Sequence, residues 1–136
     1  MAAYVKYTSS ALLLGSTTNV GTVQWAICLA SAVNVADTSF VAGTTDLATA
    51  GGYTAGGTNV TTTSWTQSGG VAKLILADPP AWTGSGGGFT FRYALLVDKT
   101  NNIPHAYWDY GASQAVAAGE TVTVDLDGVA GVFTIT

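Results

Sequence analysis

His105 and Asp109 are the first pair to weigh, because an imidazole oriented by a carboxylate is a common way to build a general base. They lie four apart in an apparent strand, so both project to one face about 13 Å apart along it. That is too far for a direct hydrogen bond. With one histidine and one cysteine in the chain, a zinc site lacks its ligand set, and His105 reads as a hydrogen-bonding or interface histidine. Gly84-Ser85-Gly86-Gly87-Gly88 invites comparison with a phosphate loop, but no lysine follows and the next element reads as a strand, not a helix. It reads as a flexible connection. Asp125 and Asp127 flank Leu126 without the acidic and amide positions of a calcium loop, so they read as a solvated strand end. Paired carboxylates for glycoside chemistry are not singled out by any spacing. Cys28, alone, has no internal disulfide partner and reads as a small buried hydrophobe. Asn59-Val60-Thr61 matches a glycosylation sequon, which has meaning only on a secretory route. The sequence therefore implies no catalytic residue, no metal and no cofactor.

What remains is the aromatic set. Tyr53, Trp65, Trp82, Tyr107, Trp108 and Tyr110 suit either a sugar-stacking platform or a protein interface, with the alternative that they fill inner sheet faces. The elements that must position them follow from periodicity. At odd positions Phe89, Phe91, Tyr93, Leu95 and Val97 point one way, and Thr90, Arg92, Ala94 and Leu96 the other, which predicts a strand over Phe89–Val97. Asp98–Asn102 is turn chemistry, and Ile103–Tyr110 returns, so the pair predicts an antiparallel hairpin. Phe89 to Gly111 holds six of the fourteen aromatic residues (four Trp, six Tyr, four Phe), which puts it in the middle of the core.

Other strands are expected at Tyr4–Tyr7, Thr22–Ala30, Ser39–Ala42, Asn59–Gln67, Val71–Ala77, Glu120–Asp127 and Gly131–Thr136, with one helical turn around Thr45–Thr49. Ser68-Gly69-Gly70 reads as a hairpin turn, Gly51–Gly57 as a loop using left-handed backbone, and Asp78-Pro79-Pro80 as a strand end. Such spacing predicts an all-β fold: an antiparallel two-sheet β-sandwich, jelly-roll-like or immunoglobulin-like, of about eight strands. The expected organisation is an N-terminal arm over 1–20, only partly tied into the sheet, and a single sandwich domain over 21–136. A chain of 136 residues buries roughly two-thirds of its unfolded surface and needs no metal or disulfide to fold.

Charge narrows the partners. Four cations against eight carboxylates give a net charge of −4, the wrong balance for a nucleic-acid binder or a membrane-surface protein. No run approaches the length of a membrane helix, and Ala11–Leu14 is too short for a signal-peptide core, so a cytoplasmic origin is expected. Charged residues are 9% of the chain against about 25% in a typical domain. A surface so poor in charge suits a protein that lives docked to others.

Several segments resemble small virion structural proteins of tailed bacteriophages, the head decoration or cement proteins. They are GGYTAGGT at Gly51–Thr58, the Trp82–Tyr93 stretch running on to Leu96, AYWDYG at Ala106–Gly111, the closing GETVTVDLDGVAGVFTIT, and the MAAYVKY opening. The chain departs from that pattern after the tyrosines, where many relatives carry a charged helix and this chain has TSSALLLGSTTNV. The resemblance implies a non-enzymatic protein that forms a homo-oligomer, dimer or trimer, and clamps adjacent major capsid protein subunits on the capsid exterior, after assembly in the host cytoplasm. It implies no nucleic-acid and no membrane partner. The interface candidates are Tyr4, Tyr7, Leu12, Leu13, Leu14, Tyr53, Trp82, Trp108 and Tyr110. A second reading is a carbohydrate- or receptor-binding β-sandwich of a phage tail or fibre, which requires a row of exposed aromatics such as Trp65, Trp82 and Trp108.

Overall fold

A computed structural model describes residues 2–135, so Met1 of the expected arm and Thr136 of the expected last strand lie outside the described residues. The chain is an antiparallel β-sandwich, with ten strands among the described residues. The larger sheet holds β1 (Ala3–Lys6), β2 (Trp25–Ala30), β3 (Thr58–Val60), β7 (Phe89–Asp98) and β8 (Ile103–Val116), in the order β1-β8-β7-β2-β3. The smaller sheet holds β4 (Thr62–Ser68), β5 (Val71–Leu76) and β10 (Phe133–Ile135), in the order β10-β5-β4. A short ribbon pairs β6 (Trp82–Thr83) with β9 (Thr121–Val122).

The expected hairpin is the centre of the larger sheet. Its turn closes because Asp98 Oδ1 accepts from the Asn101 amide at 3.1 Å and Asn102 takes a left-handed φ of 55°, a region asparagine tolerates. Alternation along β7 is not uniform, however. Register shifts between Phe91 and Tyr93, where β8 loops out Tyr110–Ser113 opposite the single residue Arg92. The Arg92 guanidinium grips the Asp109 carboxylate across this irregularity at 2.8 and 3.1 Å. The shift reverses the sidedness of the strand. Phe91 lies in the main core with Ala94 and Leu96, whereas Leu95 and Val97, with Tyr93 against them, face a second cluster. The single face expected for Phe89 to Val97 is thus two faces joined at a bulge.

The main core lies between the sheets. Trp25, Ile27 and Leu29 of β2 meet Leu74 and Leu76 of β5, with Trp82, Val124 and Leu126 closing the end. All six residues of β2 are buried because its other face is covered too. Cys28, Ala30, Leu95 and Val97 pack there against Phe40 from the loop between β2 and β3. That loop contains no strand at Ser39–Ala42 and no helix at Thr45–Thr49; a single turn forms at Val41–Thr45 instead, with the Thr44 and Thr45 amides donating to Val41 O. The threonine-rich run expected as one strand breaks at Thr61. Before it, β3 pairs with β2; after it, β4 pairs with β5, so the chain turns the corner from one sheet to the other. The β4–β5 turn is as expected: Gly69 and Gly70 both have positive φ, at 60° and 82°, the two-residue hairpin geometry that glycine permits. Only Thr121–Val122 of the expected Glu120–Asp127 strand is paired, although Val124 and Leu126 still bury alternately.

Two regions depart from their expected looseness. The Gly84–Gly88 segment is packed at both ends, around an exposed tip at Ser85–Gly87: a Cβ on Gly84 would lie 2.2 Å from Ala117 O, one on Gly88 2.1 Å from Val116 O, and one on Gly51, at φ +61°, 1.8 Å from Gly88 O. The N-terminal arm is likewise built into the fold. β1 pairs along its length with β8, Tyr7 N–H continues the ladder to His105 O, and a seven-residue helix α1 (Ser10–Ser16) follows.

Candidate functional site

Burial sorts the nine interface candidates. Tyr7, Tyr53 and Trp82 are 2%, 1% and 7% exposed, so they cannot meet a partner without unfolding. Each has a structural task. Tyr7 packs edge-on against Tyr107. Trp82 stacks by Tyr53 at 6.4 Å between ring centres. The Tyr53 hydroxyl takes the Leu29 amide, which β3 is too short to pair, and donates to Asp46. Asp46 in turn accepts from the Gly43 and Gly56 amides, each at 2.7 Å, so this buried carboxylate is fully used. Burial first, then the Cys28 and Asp46 neighbours, pushes the Tyr53 phenol far above its usual range.

The other six remain at or near the surface, and four of them converge. The larger sheet has five strands and the smaller three. At the β10 side no described residue covers the inner face of β1, and a groove of about 760 Å³ opens there. Tyr4 and Lys6 of β1 overhang it, Ala11 and Leu14 of α1 form one end, and Phe133–Ile135 of β10 form the opposite wall. A cleft of about 230 Å³ adjoins it through the shared Tyr4, Gly131 and Val132, and adds Trp108, Tyr110 and Asp125. Tyr4 crosses Trp108 edge-on at 5.5 Å, and Tyr110 crosses Phe91 at 5.4 Å, which fixes both rings from the core side. Leu12 lies outside the trough lining and is 71% exposed, while Leu13 is half-buried. Burial pushes the Tyr4 phenol up to about 12, so it stays neutral, and Lys6 is the one charged group among the described residues lining the larger groove.

Sequence reasoning missed Lys6 and Phe133–Ile135 as groove residues. The only available signal was that Lys6 shares the Tyr4 side of an alternating strand. The proposed row of Trp65, Trp82 and Trp108 does not form, since Trp82 is in the core. Trp65 is half-buried and edges Phe133 at 6.1 Å, and Tyr107 is half-buried between Tyr7 and Tyr93.

His105 is a hydrogen-bonding histidine, 1% exposed, and it occupies a one-residue bulge where β8 pairing jumps from Ala106 to Pro104. The Thr18 hydroxyl donates to Asp98 Oδ2 at 2.8 Å, so its oxygen accepts from His105 Nε2 at 2.9 Å. That assigns the neutral tautomer with the proton on Nε2, and Ser10 Oγ then donates to Nδ1 at 2.7 Å. The order Ser10, His105, Thr18, Asp98 has the sense of a proton relay. Yet Ser10 is 1% exposed, and desolvation holds the imidazole down to about 4 against the pull of Asp98, a weak base at neutral pH. What the network does is tie α1 and the segment after it to the sheet. Asp109 belongs to Arg92, and no group of three or more metal-ligating side chains occurs among the described residues. No helix among the described residues is long and apolar enough to cross a membrane. Comparison of the chain with protein-family models, with curated proteins and with solved structures returned no match.

Proposed function

We propose that this protein is a non-enzymatic structural module, a decoration or cement protein that assembles as a homo-oligomer and clamps neighbouring major capsid protein subunits on the outside of a phage head. One observation carries the reading. A large, mainly apolar trough of about 760 Å³ opens between two sheet edges, and Lys6 is the one charged side chain among its described lining residues, which favours contact with another polypeptide. Exposed Tyr4 in the trough, and half-buried Trp108 and Tyr110 in the adjoining cleft, are of the type that anchors protein interfaces. The sparse charge of the whole chain supports the same reading, and many weak contacts around a shell add up through multivalency. The net charge of −4 suits a place away from packaged DNA. The test is saturation binding to phage capsids that lack the protein, followed by sedimentation. Stoichiometric, saturable retention on the shells is expected; protein left in the supernatant at every concentration overturns the reading.

A carbohydrate- or receptor-binding role on a tail or fibre is the second reading. It is favoured by the smaller cleft, where Trp108 and Tyr110 lie beside Asp125 and Asp127, an aromatic surface with carboxylate acceptors at its rim. Trp108→Ala abolishes glycan-array binding if this reading holds.

A further inference from the structure

Two strands with one free edge each face the same trough. Among the described residues β1 pairs only with β8, and β10 only with β5. The smaller sheet stops at β10 while the larger continues to β1, so the trough is the place of a missing fourth strand in the smaller sheet. A segment entering it in extended form would hydrogen-bond to the free edge of β10 and bury alternate side chains under Tyr4 and against Leu14 and Phe133. The usable edge is short, three residues in β10 and four in β1, so about five residues of a guest strand, roughly 17 Å, would fill it.

Charge selects the guest. Among the described residues Arg92 is paired with Asp109, Lys73 Nζ is bonded to Val129 O at 2.7 Å, and Lys99 Nζ to Gly56 O at 3.2 Å. Of the four Lys and Arg side chains, Lys6 alone has no hydrogen-bond or ion-pair partner among the described residues, and it lines the larger groove. The adjoining cleft carries exposed Asp125, so the two ends of the continuous trough have opposite sign. The guest must bring a carboxylate to Lys6, and a cation toward Asp125 if it runs the full length. The segments of this chain nearest to that pattern are already engaged: the surface loop Val33–Asp37 has valines at alternate positions and an acid, but the Ala36 and Asp37 amides turn it on Asn34 and the Thr8 amide binds Val35 O. The acidic stretch Thr123–Asp127 is held by Val124 and Leu126 in the core, and a second copy would have to unfold there to donate it.

We propose that the trough is a strand-accepting site for an extended segment of a different protein, apolar at alternate positions and carrying an acidic residue that pairs with Lys6. The inference deepens the capsid reading and rests on it only for which chain supplies the strand. The probe is a capped eight-residue peptide of alternating valine and threonine with one central glutamate, titrated into the labelled protein and followed by amide chemical shifts. A twin peptide with lysine at the centre is the control. Expected are saturable shifts concentrated at Lys6 and Phe133–Ile135, at least tenfold weaker binding of the lysine twin, and reversal of that preference in Lys6→Glu. No shifts at millimolar peptide, shifts centred elsewhere, or equal binding of the twins would overturn it. So would concentration-dependent self-association that perturbs the same residues in the absence of peptide, which would make a second copy the occupant. Capsid binding separates the two claims. Wild type and Lys6→Glu retained equally on shells, with the twin peptides bound equally, leaves the decoration reading standing and refutes the strand site. Wild type that ignores shells but keeps the peptide preference does the reverse.

Discussion

At the scale of single residues, the protein relies on a few buried polar groups whose partners are completely specified. His105 is the clearest. Its proton acceptance is lowered to about 4 from the ordinary 6.5, so between those values the unfolded chain binds a proton that the folded chain refuses. Stability is therefore full above pH 6.5 and falls as pH drops from 6.5 to 4, by a total on the order of 3 kcal/mol. Urea unfolding at pH 7 and pH 4.5 measures it. In His105→Gln, which keeps polar atoms but does not titrate, that slope should largely disappear; an unchanged slope would mean that other groups are responsible. The glycines make a second test. Gly51→Ala puts a methyl group into the Gly88 carbonyl and should cost about 3 kcal/mol or more. Gly69→Ala, with similar positive φ but open space around it, should cost only about 1–2 kcal/mol. Equal losses in thermal or urea melts would refute the close stacking of the two glycine segments.

At the scale of elements, the molecule depends on where regular pairing is interrupted. The β7–β8 hairpin could be read from the sequence because strict alternation and an Asp-Lys-Thr-Asn-Asn turn are local signals. The bulge at Arg92 could not. Arg92 fits the alternation as written, and only its pairing with Asp109, seventeen residues away, and the left-handed φ of 84° at Gly111 reveal the shift. The corner at Thr61 is equally silent, since threonine suits either sheet and nothing in Asn59–Gln67 marks the change of partner. Tyr53 looked like a loop aromatic between glycines. Its burial follows from the unpaired Leu29 amide, a need created by the length of another strand. The groove was half legible: Tyr4, Leu14, Trp108 and Tyr110 were among the candidates, but the mismatch of five strands over three is a tertiary fact. The arm shows the same limit. Its uncharged helix is only seven residues long, too short to be stable alone, and it is held by Ser10 and Thr18 on His105. Amide exchange on the free monomer should therefore show Val5, Tyr7 and Leu13–Thr18 protected well beyond the exposed loop tip at Gly69-Gly70. Exchange of the whole arm at unprotected rates would contradict the fold described.

At the scale of the whole molecule, the asymmetry of the sandwich connects fold to function. A larger sheet that overhangs a smaller one leaves apolar surface and the edges of β1 and β10 open at one place. In a chain with 9% charged residues, that opening is where association is expected to begin. The most direct test is cryo-electron microscopy of protein-free capsids saturated with the purified protein. The account predicts density at symmetry-related sites on the outer surface of the shell, oriented with the β1–β10 trough against capsid protein. Bare shells, or bound copies whose trough faces solvent, would contradict it.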